Sequence, residues 1–129
     1  MTMRPLKDEE TAILNRLLEM AADGLTAHFH SDHRAVDMAD GGMGSIRFAG
    51  QTDRPRKMGR ELVMAEYLDE DQVPVLISIN LDEDGQLFEL DIWKVNFQPL
   101  IRYPRPGELH KPPPSAAIGD DVPSQTGTN

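Results

Sequence analysis

The string His28-Phe29-His30-Ser31-Asp32-His33 gathers three imidazoles and a carboxylate within six residues. This is a donor set that can hold zinc while the metal turns water into a nucleophilic hydroxide. Taken alone, the spacing supports metal-dependent hydrolysis. The one other histidine, His110, falls in a Pro-rich stretch near the C-terminus, where no strand is expected to carry it back to the string. The string also follows a predicted helix and precedes a predicted strand. A partly exposed polar linker is therefore the expectation, with no metal and no other cofactor assigned. A metal-dependent hydrolase stands as the alternative function.

Three further groups of residues could do chemistry. Gly41-Gly42-Met43-Gly44 could cradle a phosphate on bare backbone N–H groups. No helix and no Gly-Lys-Ser/Thr follows it, and glycine's tolerance of positive φ makes a turn between two strands sufficient. Arg54, Arg56, Lys57 and Arg60 place four cations within seven residues, which predicts a solvated loop or, as the sharper alternative, a local anion site. Glu89 and Asp91 stand at i and i+2 of a predicted strand, close enough to perturb each other's ionisation. No deep pocket is indicated around them, so no catalytic residue is assigned.

Composition narrows the classes. The chain has 129 residues, and 13 basic against 22 acidic side chains give a formal net charge of −9. One domain is expected from the length. A chain this acidic is repelled by phosphate backbones and anionic lipid, so neither nucleic acid nor membrane is an expected partner. There are no cysteines, which excludes disulfides, thiolate metal sites and thiol nucleophiles. The longest apolar run, residues 73–81, is too short to span a bilayer, and residues 1–10 lack the apolar stretch of a signal peptide. A cytoplasmic location is the expectation.

The elements that would position these residues are legible in part. Ile13, Leu14, Leu17, Leu18 and Ala21 recur at helical spacing, predicting an amphipathic helix over residues 8–22. Asp8 is its expected cap, and Asp23-Gly24 its stop. Residues 73–97 read as two alternating strands joined by a two-residue loop at Asp84-Gly85. That register pairs Leu81 with Phe88, Ile79 with Leu90 and Ile77 with Ile92 on a core face. On the opposite face it pairs Asn80 with Glu89, Ser78 with Asp91 and Leu76 with Trp93. Residues 61–69 alternate weakly; a four-residue loop sets Leu62 and Met64 on the core face and sends Val63, Ala65 and Tyr67 to the other. Residues 34–39 and 45–49 flank the glycine-rich turn as two more strands. The predicted fold is α+β: one N-terminal amphipathic helix packed on a five-stranded antiparallel meander. A single domain is expected over residues 4–103, with residues 104–129 as a disordered Pro-rich tail that carries Lys111-Pro112-Pro113-Pro114.

Two stretches carry resemblances. Asp40-Gly41-Gly42-Met43-Gly44-Ser45-Ile46-Arg47-Phe48, together with Val73-Pro74-Val75 and Leu87-Phe88-Glu89-Leu90-Asp91-Ile92-Trp93-Lys94-Val95-Asn96-Phe97, resembles an uncharacterised bacterial family of domains of about 100 residues. Arg4-Pro5-Leu6 fits it as well, so the likeness covers residues 4–103. That family has no known function, and it implies a domain boundary but no activity. The histidine string is similar to the metal-binding string of metallo-β-lactamase-type hydrolases, whose fold is far longer than this chain.

The functional expectation is a small non-enzymatic interaction module. Tyr67, Leu76, Asn80, Glu89, Asp91 and Trp93 are placed together on the helix-free sheet face as a half-apolar, acidic docking surface. A basic protein is the partner such a face suits, as in immunity-type capping of a basic toxin. A homodimer through the same face is the other expected association.

Overall fold

The computed structural model describes residues 2–21, 33–50 and 55–112. Among these residues a short strand β1 (Arg4–Pro5) precedes the single α-helix, α1 (Asp8–Met20). Strands β2 (Arg34–Asp37), β3 (Ile46–Phe48), β4 (Met58–Leu68), β5 (Pro74–Asp82) and β6 (Leu87–Lys94) follow. The six strands form one antiparallel sheet in the order β1-β2-β3-β6-β5-β4. The fold is thus α+β, with two corrections to the five-stranded meander. A sixth strand is present, and β3 pairs with β6 through Ile46↔Leu90 and Arg47↔Glu89. The chain therefore crosses from the middle of the sheet to its far edge before β4–β5–β6 meander back. The sixth strand is only two residues long, too short to show a period, and its Pro5 suits an edge because it has no N–H to offer.

Helix α1 buries Ile13, Leu14 and Leu17 in the core, and it packs on β4 and β5. Its N-cap is Lys7 rather than Asp8. The cap works because Glu10, one turn in, accepts the Lys7 backbone N–H at 2.8 Å, which also sets a carboxylate at the positive end of the helix. Glu10 is buried, and Arg4 forks onto both its oxygens at 2.9 and 2.8 Å. The same guanidinium reaches Asp37 at 2.7 and 3.2 Å, tying β1, α1 and β2 together. The expected stop at Asp23-Gly24 lies outside the described residues.

The β5–β6 hairpin corrects the loop and keeps the register. Gly85 N–H donates to the Asp82 carbonyl at 3.0 Å and Asp82 N–H to the Gln86 carbonyl at 2.8 Å, so the loop is three residues, 83–85. Gly85 takes φ +82°, the left-handed residue that closes such a loop. One extra loop residue pairs Leu81 with Leu87 in place of Phe88. A bulge at Phe88 then restores the pairing, so that Asn80↔Glu89, Ile79↔Leu90, Ser78↔Asp91, Ile77↔Ile92 and Leu76↔Trp93 stand as expected.

Strand β4 departs from expectation on its faces. Val63, Ala65 and Tyr67 pair with Ile79, Ile77 and Val75 on the helix side, and all three are buried. Asp69 N–H donates to the Val73 carbonyl at 3.0 Å, so the β4–β5 turn is the three residues 70–72 rather than four, Leu68 pairs with Pro74, and the one-residue change of register exchanges the faces of the strand. Tyr67, expected on the docking face, is instead 1% exposed in the core. Its hydroxyl donates to the Arg102 carbonyl at 2.7 Å, and burial with the Asp69 charge pushes its pKa up.

Asp69, buried in the β4–β5 turn, ties the C-terminal segment to the sheet. It accepts from Lys94 Nζ at 2.9 Å and from the backbone N–H groups of Glu70, Ile101 and Arg102 at 2.8, 2.9 and 3.2 Å. Lys94, itself fully buried, also meets Asp71 at 2.8 Å. Packing continues past residue 103. A 3-10 turn at Pro106–Glu108 is held by Arg102 forking onto Glu108 at 2.8 and 2.6 Å, which draws that carboxyl down to about 2. Leu109 enters the core, and His110 pairs with Glu66 on the edge of β4. The next hydrogen-bonded position on that edge would fall to Pro112, which has no N–H, so the pairing stops there. The rest of the expected tail, residues 113–129, lies outside the described residues.

Burial works against ionisation of Asp69, but Lys94 and the three backbone donors outweigh it and hold its carboxyl below the usual range. Its stabilisation is therefore complete above the unfolded pKa of about 3.9 and is lost as pH falls through the lower folded value. Asp69→Asn is expected to cost about 3 kcal/mol at neutral pH. Urea unfolding at pH 7 and again at about pH 3 checks it, with the difference between variant and parent shrinking at the acid end.

Candidate functional site

The register fixes what the helix-free face carries. Across β3, β6, β5 and β4, one row reads Arg47, Glu89, Asn80, Glu61; the next, without β3, reads Asp91, Ser78, Met64; then come Trp93, Leu76, Glu66. Pro74 and Leu68 close the sheet at that end. Five of the six expected docking residues, Leu76, Asn80, Glu89, Asp91 and Trp93, share this face. Tyr67 does not, and Glu66 takes its place beside Leu76.

One end of the face is apolar and exposed. Leu68, Trp93, Val95 and Phe97 all stand open to solvent, and the rings of Trp93 and Phe97 meet at 6.0 Å between centroids, tilted by 55°. Phe97 is 66% exposed, yet it takes φ +64°, a left-handed conformation that costs an L-residue about 1–2 kcal/mol. Its N–H donates to the Lys94 carbonyl at 2.8 Å, closing the turn that ends β6. Burial of the ring does not repay that strain, and Gln72 in the β4–β5 turn is the other non-glycine residue at positive φ among the described residues. Periodicity placed Trp93 here; Phe97 carried no sequence signal beyond being aromatic, because its turn lies past the alternation.

The other end is polar, and its carboxylates are unequally partnered. Glu89 is satisfied by Arg47 Nη2 and Asn80 Nδ2, each at 3.0 Å. Among the described residues Asp91 receives only the Ser45 hydroxyl, at a long 3.4 Å. Burial raises the Asp91 pKa, the Glu89 and Asp40 charges raise it further, and the Ser45 contact opposes them. Burial and the Asp91 charge likewise raise Glu61, a residue the alternation did not single out. Between them Ser78 is buried. Toward β2 the face runs into a groove of about 470 Å³ lined by Met3, Val36, Met38, Arg47 and Phe88, where the Arg47 guanidinium lies 4.5 Å from the Phe88 ring centroid.

Two of the other candidate groups have partners within the fold. In the glycine-rich turn, Asp40 accepts the N–H groups of Met43 and Ser45 at 3.1 and 2.8 Å, so the loop folds around its own carboxylate rather than a phosphate. Ser45 in turn accepts the Ile92 N–H at 2.8 Å, joining β3 to β6. Of the cation cluster, Arg56 donates to Asp82 at 2.9 Å, to the Phe48 carbonyl at 2.8 Å and to the Leu87 carbonyl. It serves as a clamp on the bulged hairpin. Arg54 lies outside the described residues, as do His28, His30 and Asp32. The His33 ring meets Phe48 edge-on at 6.0 Å. Among the described residues no three His, Asp or Glu side chains gather as a metal site, and no helix is long and apolar enough to cross a membrane.

Asp91 holds its charge against burial and like neighbours, so its ionised form weakens the fold. The penalty is full above its raised folded pKa and vanishes below the unfolded value of about 3.9. Asp91→Asn is expected to raise the urea midpoint at pH 7 and to leave it unchanged near pH 3. A lower midpoint at pH 7 would show that the carboxylate stabilises the face instead.

No curated protein and no solved structure matches this chain. A family model described as a domain of unknown function (DUF6984) matches residues 3–104, the span from β1 through the segment that Asp69 anchors. The chain belongs to that family of uncharacterised domains.

Proposed function

We propose that this domain is a non-enzymatic protein-interaction module whose helix-free sheet face docks a basic partner. The observation that carries the reading is the exposed Trp93–Phe97 pair, the second ring held at positive φ. Large aromatic side chains at the centre of a patch supply most of the energy of typical interfaces. Beside them Glu61, Glu66, Glu89 and Asp91 line the same face with a single cation, Arg47, in their rows. On a chain of net charge −9, this favours a partner of the opposite sign and speeds its encounter. Capping of a basic enzyme, as immunity-type proteins do, is one form such a function would take.

The test is capture of partners from the native host's lysate with the parent chain and with Trp93→Ala and Phe97→Ala. The expected result is a near-stoichiometric protein of high isoelectric point, bound at least about 30-fold more weakly by each variant. Capture unaltered in both folded variants would remove the reading. Light scattering separates self-association: a dimer of the parent chain dissociated by Trp93→Ala would assign the face to a second copy.

A further inference from the structure

We propose that the groove of about 470 Å³ beside β2 is a binding site for a small monocarboxylate with an apolar body, the carboxylate taken by Arg47 and the body laid along Val36, Met38 and Phe88. The site is separate from the Trp93–Phe97 end of the face and does not depend on the docking reading.

The groove opens where the ladder breaks. β3 pairs with β6 at Ile46↔Leu90 and Arg47↔Glu89, and the bulge between the Leu81↔Leu87 and Asn80↔Glu89 pairs takes the next residue, Phe88, out of register. A bulge re-aims the side chain it carries. Leu87 and Leu90 join the core, whereas Phe88, although only 5% exposed, stands outside the core cluster and lines the groove. The lining around it is mostly apolar, with Val36 from β2, Met38 just after that strand and Met3 just before β1. A concavity of this size, apolar with a few polar groups, is the usual form of a small-molecule site. Methionine side chains, unbranched and polarisable, adapt to a ligand's ring or chain.

The charged groups identify the ligand. Two guanidiniums lie over Phe88, that of Arg47 at 4.5 Å and that of Arg56 at 5.3 Å from the ring centroid. Every nitrogen of the Arg56 guanidinium is engaged, by Asp82 and by the carbonyls of Phe48 and Leu87, so that group is structural. Arg47 gives only Nη2, to Glu89. Its Nε and Nη1 meet no acceptor among the described residues, and its side chain is 49% exposed. The one carboxylate among the described lining residues, Asp37, is held by Arg4 at 2.7 and 3.2 Å. The groove thus presents a planar donor fork, oriented by the Phe88 ring and by Glu89, with no carboxylate of its own to occupy it. A ligand carboxylate matches such a fork in shape and charge. A dianionic phosphate matches it less well, because Glu89 and Asp37 flank the fork on a chain of net charge −9. An uncharged apolar body would fill the groove and leave the fork unused.

The experiment titrates the full ¹⁵N-labelled chain with phenylpropionate and with octanoate, and separately with phenylpropionamide, phenylpropylamine and inorganic phosphate, following backbone amides and the Arg47 Nε–H by NMR. At least one of the two carboxylates should give saturable shifts centred on Val36, Met38, Arg47 and Phe88. The amide, which keeps the shape but lacks the charge, should bind at least about tenfold more weakly, and the amine and phosphate should give no saturable shift there. Arg47→Gln and Arg47→Lys should each weaken the carboxylate at least about tenfold, since lysine keeps the charge and loses the fork; each variant's own spectrum reports its fold. Equal responses to acid and amide, saturation by phosphate, shifts that centre elsewhere or never saturate, or undiminished binding by either folded variant would overturn the site. None of these readouts involves Trp93 or Phe97, so the groove site can fall while partner capture stands, and partner capture can fail while the groove site stands.

Discussion

The Asp69 carboxylate is the interaction on which the rest of this domain's arrangement depends. Four donors converge on it: an ammonium from the end of β6, and backbone N–H groups from its own turn and from residues 101 and 102. Without it, the segment after β6 has no charge to close against. That segment does more than cover the sheet's end. Leu100 N–H donates to the Gly42 carbonyl at 3.0 Å, and a side chain added at Gly42 would meet the Pro99 Cβ at 3.3 Å, so the glycine-rich turn is shaped to receive it. The same segment sets the left-handed turn that presents Phe97. One buried ion pair thus fixes the strained ring from the opposite side of the strand.

The sheet shows why a register can be read correctly from a wrong loop. Alternation in β5 and β6 is strong enough that only one pairing puts Ile77, Ile79, Leu90 and Ile92 together on one side. The loop is a residue longer than Asp84-Gly85 alone suggests, and the bulge at Phe88 absorbs that residue before the central pairs begin. Arg56 is what makes the bulge affordable, for it donates to the carbonyls of Phe48 and Leu87 that the irregular ladder would otherwise leave unsatisfied. Nothing in the sequence around Arg56 announces that role, since a cation in a charged loop reads as solvated.

Strand β4 failed for a complementary reason. Leu62, Val63, Met64 and Ala65 are all apolar, so the period that should separate two faces is absent where it was needed. The face was then settled by the β4–β5 turn, where Gln72 takes φ +67°, a left-handed conformation that its residue type does not announce. Tyr67 misled further: its phenol suits a surface, yet a single carbonyl, that of Arg102, satisfies it inside the core. Leu76, Asn80, Glu89, Asp91 and Trp93 were placed correctly because β5 and β6 alternate without ambiguity. Glu61 and Phe97 were not singled out, one because it stands at the start of a weakly alternating run and the other because its turn lies beyond the strand.

The two faces of the sheet solve the same electrostatic problem in opposite ways. On the helix side and at the sheet's end, each buried charge has its counter-charge: Glu10 with Arg4, Asp69 with Lys94, Asp82 with Arg56. Burial there is offset by hydrogen bonds, and the carboxyls of Asp69 and Asp82 are held below their ordinary range. On the helix-free face Asp91 has no counter-charge among the described residues, and the carboxyls of Asp91 and of the more exposed Glu61 are pushed the other way. A chain that neutralises its structural carboxylates this consistently has the means to do so everywhere, for Arg47 shows that a cation can be seated on this face. The carboxylates that remain under-partnered lie beside the exposed aromatic pair. On the docking reading proposed above, that deficit would complement a basic surface.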